Sequence, residues 1–202
     1  INPLFGKCSE VDYATQQGLD AVQAQVEVVL SKVRRKYKEY GIKEKPFVVV
    51  KPDNGTYGMG VMTVRDPKDL ETLNRKTRNK MAVVKEGMQV SNVLVQEGVY
   101  TFENINQAVA EPVIYMIDRY VVGGFYRVHT GRGIDENLNA PGMHFVPLSF
   151  EASCLLPKNS AQTHSIPNRF YAYSVVARLA LLAAALELED PTLDISRPFP
   201  AG

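Results

Sequence analysis

From Gln16 to Tyr40 the apolar positions Leu19, Val22, Val26, Val29, Val33, Tyr37 and Tyr40 recur at steps of three and four. This spacing puts them on one stripe of an α-helix, and Gly41 stands where a C-cap glycine closes one. Residues 1–13 show no such period and read as irregular, with Pro3 and Gly6 as breakers. Phe47–Lys51 is a β-branched run that predicts a buried strand. Turn-forming residues fill Pro52–Gly60, and Val61–Val64 resumes a strand. Asp66 and Pro67 suit the cap and first turn of a second helix, predicted to run to about Lys80. Asn92–Gln96 predicts another strand. Val113–Val122 and Phe125–Thr130, separated by Gly123-Gly124, predict a hairpin with a two-residue turn. Residues 131–167 read as mostly irregular, with a short strand at Val146–Phe150. Asn168 is placed to cap a last helix through Leu188, and a Pro-rich tail follows Asp190. Helices and strands in this mixture predict an α+β fold, with no internal repeat.

The chain has 202 residues, room for one large domain or a core domain with a smaller lobe. Its 23 basic and 22 acidic side chains give a net charge of +1, which favours neither a nucleic-acid nor a membrane surface. The longest uninterrupted apolar run, Leu179–Leu186, is too short to cross a bilayer. Cys8 and Cys154 have no CxxC partner and read as reduced thiols of a cytoplasmic protein. Cys8 sits in a Gly-Lys-Cys-Ser stretch, where a reactive thiol and a packed one are both open readings. The chain begins at Ile1, not Met, and reads as cut from a longer protein with a further domain upstream. His129, His144 and His164 have no metal-binding spacing and are expected in structural or surface roles.

The stretch most specific for chemistry is Phe47–Val64. A strand ends in Lys51, glycines follow at 55, 58 and 60, and a second strand begins. Glycines let backbone N–H groups approach an anion closely, and a lysine at the strand end adds a fixed cation. A triphosphate needs both. No Gly-Lys-Ser/Thr closes the loop, so it is not a Walker A motif. The G-x-x-G-x-G order leading into a strand is not the dinucleotide fingerprint either. The plainer alternative is a glycine-rich hairpin beside a snorkelling lysine.

Strand-Lys-Pro, glycine loop, strand resembles the ATP-grasp fold, especially its glutathione synthetase branch. Asn2-Pro-Leu-Phe-Gly-Lys-Cys-Ser-Glu-Val-Asp12, Lys51–Gly60 and Tyr120–Gly142 more narrowly resemble the bacterial glutamate–cysteine ligases of ATP-grasp-like type. The resemblance covers most of residues 1–190. It implies two α+β lobes with ATP between antiparallel sheets: residues 1–45 as lead-in and long helix, 46–99 as the ATP-binding lobe with its lid loop, and 100–202 as the second lobe and C-terminal helix. It implies a ligase that makes γ-glutamylcysteine from glutamate and cysteine through an acyl phosphate, the first step of glutathione biosynthesis, using ATP and Mg2+.

The same resemblance assigns Lys51, Gly55, Tyr57, Gly58 and Gly60 to the ATP phosphates. The strand exit at Val93–Val99 would read the adenine edge, with a carbonyl near Gln96, the polar Glu97 and an N–H near Val99. Glu111, taken as opening the next strand, would bind the ribose. Arg127 and Arg132 would meet the γ-phosphate and substrate carboxylates, for which a planar guanidinium is suited. Taken alone, Glu97 and Glu111 read equally as solvated strand ends and Arg132 as a surface charge. The family's Glu-x-Asn metal pair is absent after residue 142. Glu136, Asn137 and Asn139, crowded with Asp135 in one loop, carry oxygen donors of the type magnesium takes. The same Asn-rich turn also resembles a substrate-side loop, and Glu151 is a further metal candidate.

Small-molecule substrates are the partners this implies, with no nucleic acid and no membrane; a homo-oligomer is compatible with the sequence. Three other readings stand beside it: another ATP-grasp carboxylate–amine ligase of glutathione synthetase or peptide ligase type, a non-catalytic ATP-binding module, and a structural α/β domain that binds nothing.

Overall fold

A computed structural model describes residues 4–54, 59–82, 89–148 and 169–189. The chain divides into two compact units, Ile1–Thr101 with Gly133–Ala140, and Phe102–Arg132 with Pro141–Gly202.

The first unit is a four-stranded antiparallel sheet with one long helix on it. Its elements are β1 (Phe5–Cys8), α1 (Leu19–Tyr40), β2 (Val48–Pro52), β3 (Met62–Val64), α2 (Arg75–Ala82) and β4 (Val93–Glu97). The strand order is β1-β4-β2-β3. The apolar stripe of α1 is buried at Val22, Val26, Val29, Leu30, Val33 and Tyr37. It packs on Cys8, Val48, Val50, Val93 and Val95, which alternate along their strands onto one face. Each such valine, fully buried, contributes on the order of 2 kcal/mol. The C-cap is as predicted: Gly41 is left-handed (φ 66°), and Ile42 N–H donates to the Tyr37 carbonyl at 2.9 Å.

Three local expectations for this unit are corrected. Residues 1–13 are not all irregular, because Phe5–Cys8 pairs with Val93–Gln96 as an edge strand. The first helix begins at Leu19, not Gln16. Asp12 Oδ1 accepts from the Ala14 and Thr15 amides, and Gln16 and Gly18 are left-handed, so a tight loop occupies those positions. The second helix is two pieces, a 3-10 turn at Pro67–Leu70 and then α2. Each has its own cap: Asp66 with Asp69 form a capping box, and Asn74 Oδ1 accepts from Thr77 N–H at 2.9 Å.

The second unit holds β5 (Asn104–Ile105), β6 (Ala108–Ile117), β7 (Tyr120–His129), β8 (His144–Pro147) and α3 (Arg169–Glu189), with sheet order β5-β6-β7-β8. Its core is Ala108, Ala110, Tyr126, Val128 and Leu148, with Phe170 and Tyr173 of α3 packed against it. The predicted hairpin forms with a different turn. Ile117 pairs with Tyr120 around Asp118-Arg119, with Asp118 left-handed, and Gly123 and Gly124 lie inside β7. A Cβ on Gly124 would meet the Val113 carbonyl oxygen at 2.5 Å, so this glycine serves close strand approach, not turning. β8 covers only the first half of the predicted Val146–Phe150 strand; 149 and 150, and the proposed cap Asn168, lie outside the described residues.

The apolar-run expectation also changes. Among the described residues, α3 is long and apolar enough to cross a membrane by length and composition, with 6 % of its apolar window buried. Counting only Leu179–Leu186 missed this, because the scattered charges of the helix are too few to offset its leucines and alanines.

Candidate functional site

Strand alternation gives the first sheet two unlike faces. Val48, Val50, Val93, Val95 and Glu97 turn toward α1 and are buried. Phe5, Lys7, Val49, Lys51, Thr63, Leu94 and Gln96 share the opposite face, by parity and register. Lys7 and Lys51 both lie directly opposite Leu94, one on each side, so two cations flank one residue of the central strand. Two residues along the strands, Phe5, Gln96, Val49 and Thr63 form a second row.

Gly60 closes the glycine-rich loop that follows Lys51. It is left-handed (φ 67°), and a Cβ there would lie 2.8 Å from Pro52, at the start of the loop. Only glycine meets both demands. Gly55, Tyr57 and Gly58 lie outside the described residues.

The Asn-rich loop reaches the same unit. Thr63 Oγ1 donates to the Asp135 carbonyl at 3.2 Å, the Arg65 guanidinium pairs with the Asp135 carboxylate, and Leu138 is buried. Lys51 and the loop bearing Glu136, Asn137 and Asn139 therefore belong to one unit, although they are 85 or more residues apart. Two side-chain oxygens of the loop accept from its own backbone. Glu136 Oε2 accepts from Gly133 N–H at 2.7 Å, and Asn137 Oδ1 from Asn139 N–H at 3.0 Å. No group of three or more His, Cys, Asp or Glu able to hold a metal occurs among the described residues.

The strand exit is pinned at several points. Glu97 is not a solvated strand end: its side chain is 5 % exposed, and both carboxylate oxygens accept from Lys36 Nζ of α1, at 2.9 and 3.0 Å. It lies on the helix face, away from Lys51. The Glu97 and Gly98 amides donate to Leu4 and Phe47 carbonyls at 2.7 and 2.9 Å. Phe47 meets the Tyr100 ring edge-on at 5.0 Å, and Tyr100 Oη donates to the Lys45 carbonyl. Gln96 is interior to the sheet, and Val99 is exposed.

In the second unit Glu111 does not open a strand; it lies within β6, directly opposite Arg127 of β7. The two form an ion pair, with side chains 34 % and 24 % exposed. Among the described residues, buried Arg127 Nε has no hydrogen-bond partner. Arg132 follows β7, half-buried. Cys8 is buried, and that burial pushes its thiol pKa up, so the packed reading holds and the reactive one does not.

Sequence reasoning missed Lys7. Its signal was the Phe5/Lys7 against Gly6/Cys8 alternation, too short to be distinguished from loop without the pairing to β4.

Lys7 and Lys51 thus share the sheet face opposite α1 in an α+β fold. The chain belongs to the glutamate-cysteine ligase family, whose GshA family model matches residues 1–188. A solved structure from Methylobacillus flagellatus KT, a candidate gamma-glutamylcysteine synthetase, is 61 % identical, with a TM-score of 0.78. The match covers 93 % of this chain and 44 % of that one, so the chain spans less than half of its relative's length. No curated protein matches.

Proposed function

We propose that this chain is the nucleotide-binding part of an ATP-dependent glutamate–cysteine ligase with an ATP-grasp-like fold. Family membership supports the substrates. The observation that carries the nucleotide reading is the Lys7–Leu94–Lys51 row on the face of the sheet that α1 leaves uncovered. In this reading ATP is taken as its magnesium complex, which brings the metal on the phosphates.

The γ-phosphoryl group passes to a γ-carboxylate oxygen of glutamate, releasing ADP and leaving an acyl phosphate. The amine of cysteine attacks the acyl carbon, the amide bond forms, and phosphate leaves with the C–O electron pair. Little covalent work falls to the protein, so its contribution is positioning and charge neutralisation. Lys51 and Lys7 offset phosphate charge. Arg127 and Arg132 offer guanidinium N–H groups to carboxylate or phosphate oxygens. The loop over residues 55–60 excludes water from the acyl phosphate. We place the protein in the cytoplasm, with small-molecule partners.

The test is phosphate release and product mass from the full-length protein that contains this chain, with ATP, magnesium and a panel of amino-acid pairs. Glutamate plus cysteine is expected to give γ-glutamylcysteine and stoichiometric phosphate. Turnover with another carboxylate–amine pair alone would replace this reading by the other-ligase one. Tight ATP binding without turnover would favour a non-catalytic module.

A further inference from the structure

His129 ends β7 and is 7 % exposed. Gly131 N–H donates to its Nδ1 at 3.1 Å, which fixes that nitrogen as the acceptor. The ring proton then resides on Nε2, which donates to the Pro141 carbonyl at 3.1 Å. One imidazole thus ties residues ten apart, one just before Arg132 and the other where the loop returns. Gly131 and Gly142 flank the ring, and a Cβ on either would make only van der Waals contact with it. Gly142 is left-handed (φ 98°), and a Cβ there would lie 3.4 Å from Nε2 and Cε1; one on Gly131 would lie 3.6 Å from Cε1. His129 also shares a sheet face with Arg127, two residues earlier on β7.

We propose that His129 is a positioning residue for the ligase reaction: it clips the ends of the 131–141 loop and so sets the direction of Arg132. It touches no reacting atom itself. This rests on the ligase reading, with Arg132 facing substrate or phosphate. A displacement of about 1 Å in such a group lowers turnover by up to about 100-fold.

Three substitutions separate the two contacts. His129→Phe keeps the bulk and loses both. His129→Asn sets an acceptor near the Nδ1 position and keeps the Gly131 contact. His129→Gln sets a donor near Nε2 and keeps the Pro141 contact. Each is measured for kcat, KM for ATP, melting temperature and amide hydrogen exchange across 131–141. The expected result is a kcat loss of about 10- to 100-fold for His129→Phe, with KM for ATP changed less than threefold and the protein still fully folded at the assay temperature. Exchange should accelerate across 131–141, and Asn and Gln should each restore part of kcat. Unaltered exchange and kcat in His129→Phe would overturn the proposal. So would kcat losses that merely follow melting temperature across the three variants. If the full-length wild type makes no product from any amino-acid pair, the ligase reading fails by itself. Exchange then still decides whether the clip exists.

Discussion

Replacing Lys36 by methionine tests what fixes α1 to the central strand. The substitution keeps the apolar stem and removes the ammonium that both Glu97 oxygens accept from. Glu97 is left 5 % exposed with one weaker contact, the Leu4 N–H at 3.3 Å. Breaking a buried ion pair from one side costs about 3–5 kcal/mol. Lys36 is 38 % exposed, so solvent already screens the pair and the expected loss falls to about 2 kcal/mol. For a chain of this size that corresponds to a drop of about 4–8 °C in melting temperature, followed by far-ultraviolet circular dichroism. Glu97→Gln should cost less, about 1 kcal/mol, because the ammonium it orphans can reach water. The double variant should lose less than the sum of the two. A Lys36→Met shift below 1 °C, or a larger loss in Glu97→Gln than in Lys36→Met, would refute the reasoning.

Gly98→Ala would place a methyl into the Phe47 ring. It should cost about 1–3 kcal/mol by overpacking, read as a lower urea midpoint, and an unchanged midpoint would contradict the packing. Gly60→Ala combines an unfavourable positive φ with contact on Pro52; it should lower stability by about 1–2 kcal/mol and weaken ATP binding, measured by calorimetry. Burial raises the Cys8 thiol pKa, so less thiolate is present at pH 8 than in an open thiol. Peptide mapping after iodoacetamide should find Cys8 labelled much more slowly in the native protein than in urea, and equal rates would contradict it.

The elements legible in the sequence were those specified by their own residues. The valine stripe of α1 and Gly41 need no partner to be read. The strand ending in Lys51 was legible for the same reason. What needed tertiary partners was lost. Phe5–Cys8 is a strand only because β4 lies beside it. Gly123-Gly124 carries strong turn propensity, but close approach to Val113 holds it in β7 while Asp118-Arg119 turns the chain. Glu97 was readable by parity: it shares a face with Val93 and Val95 and so must turn toward α1. The Thr63 and Arg65 contacts to Asp135 span about 70 residues, and no local pattern announces them.

The central claim is that Lys51, with Lys7 beside it across Leu94, binds the phosphates of ATP. Calorimetric titration of magnesium ATP into the wild type, Lys51→Met and Lys7→Met tests it most directly. Losing a charge-assisted phosphate contact removes about 1.5–3 kcal/mol. The account therefore predicts a Kd weakened about 10- to 100-fold in Lys51→Met, with a smaller loss in the more exposed Lys7→Met and melting temperatures near wild type. Wild-type ATP affinity in Lys51→Met would contradict it.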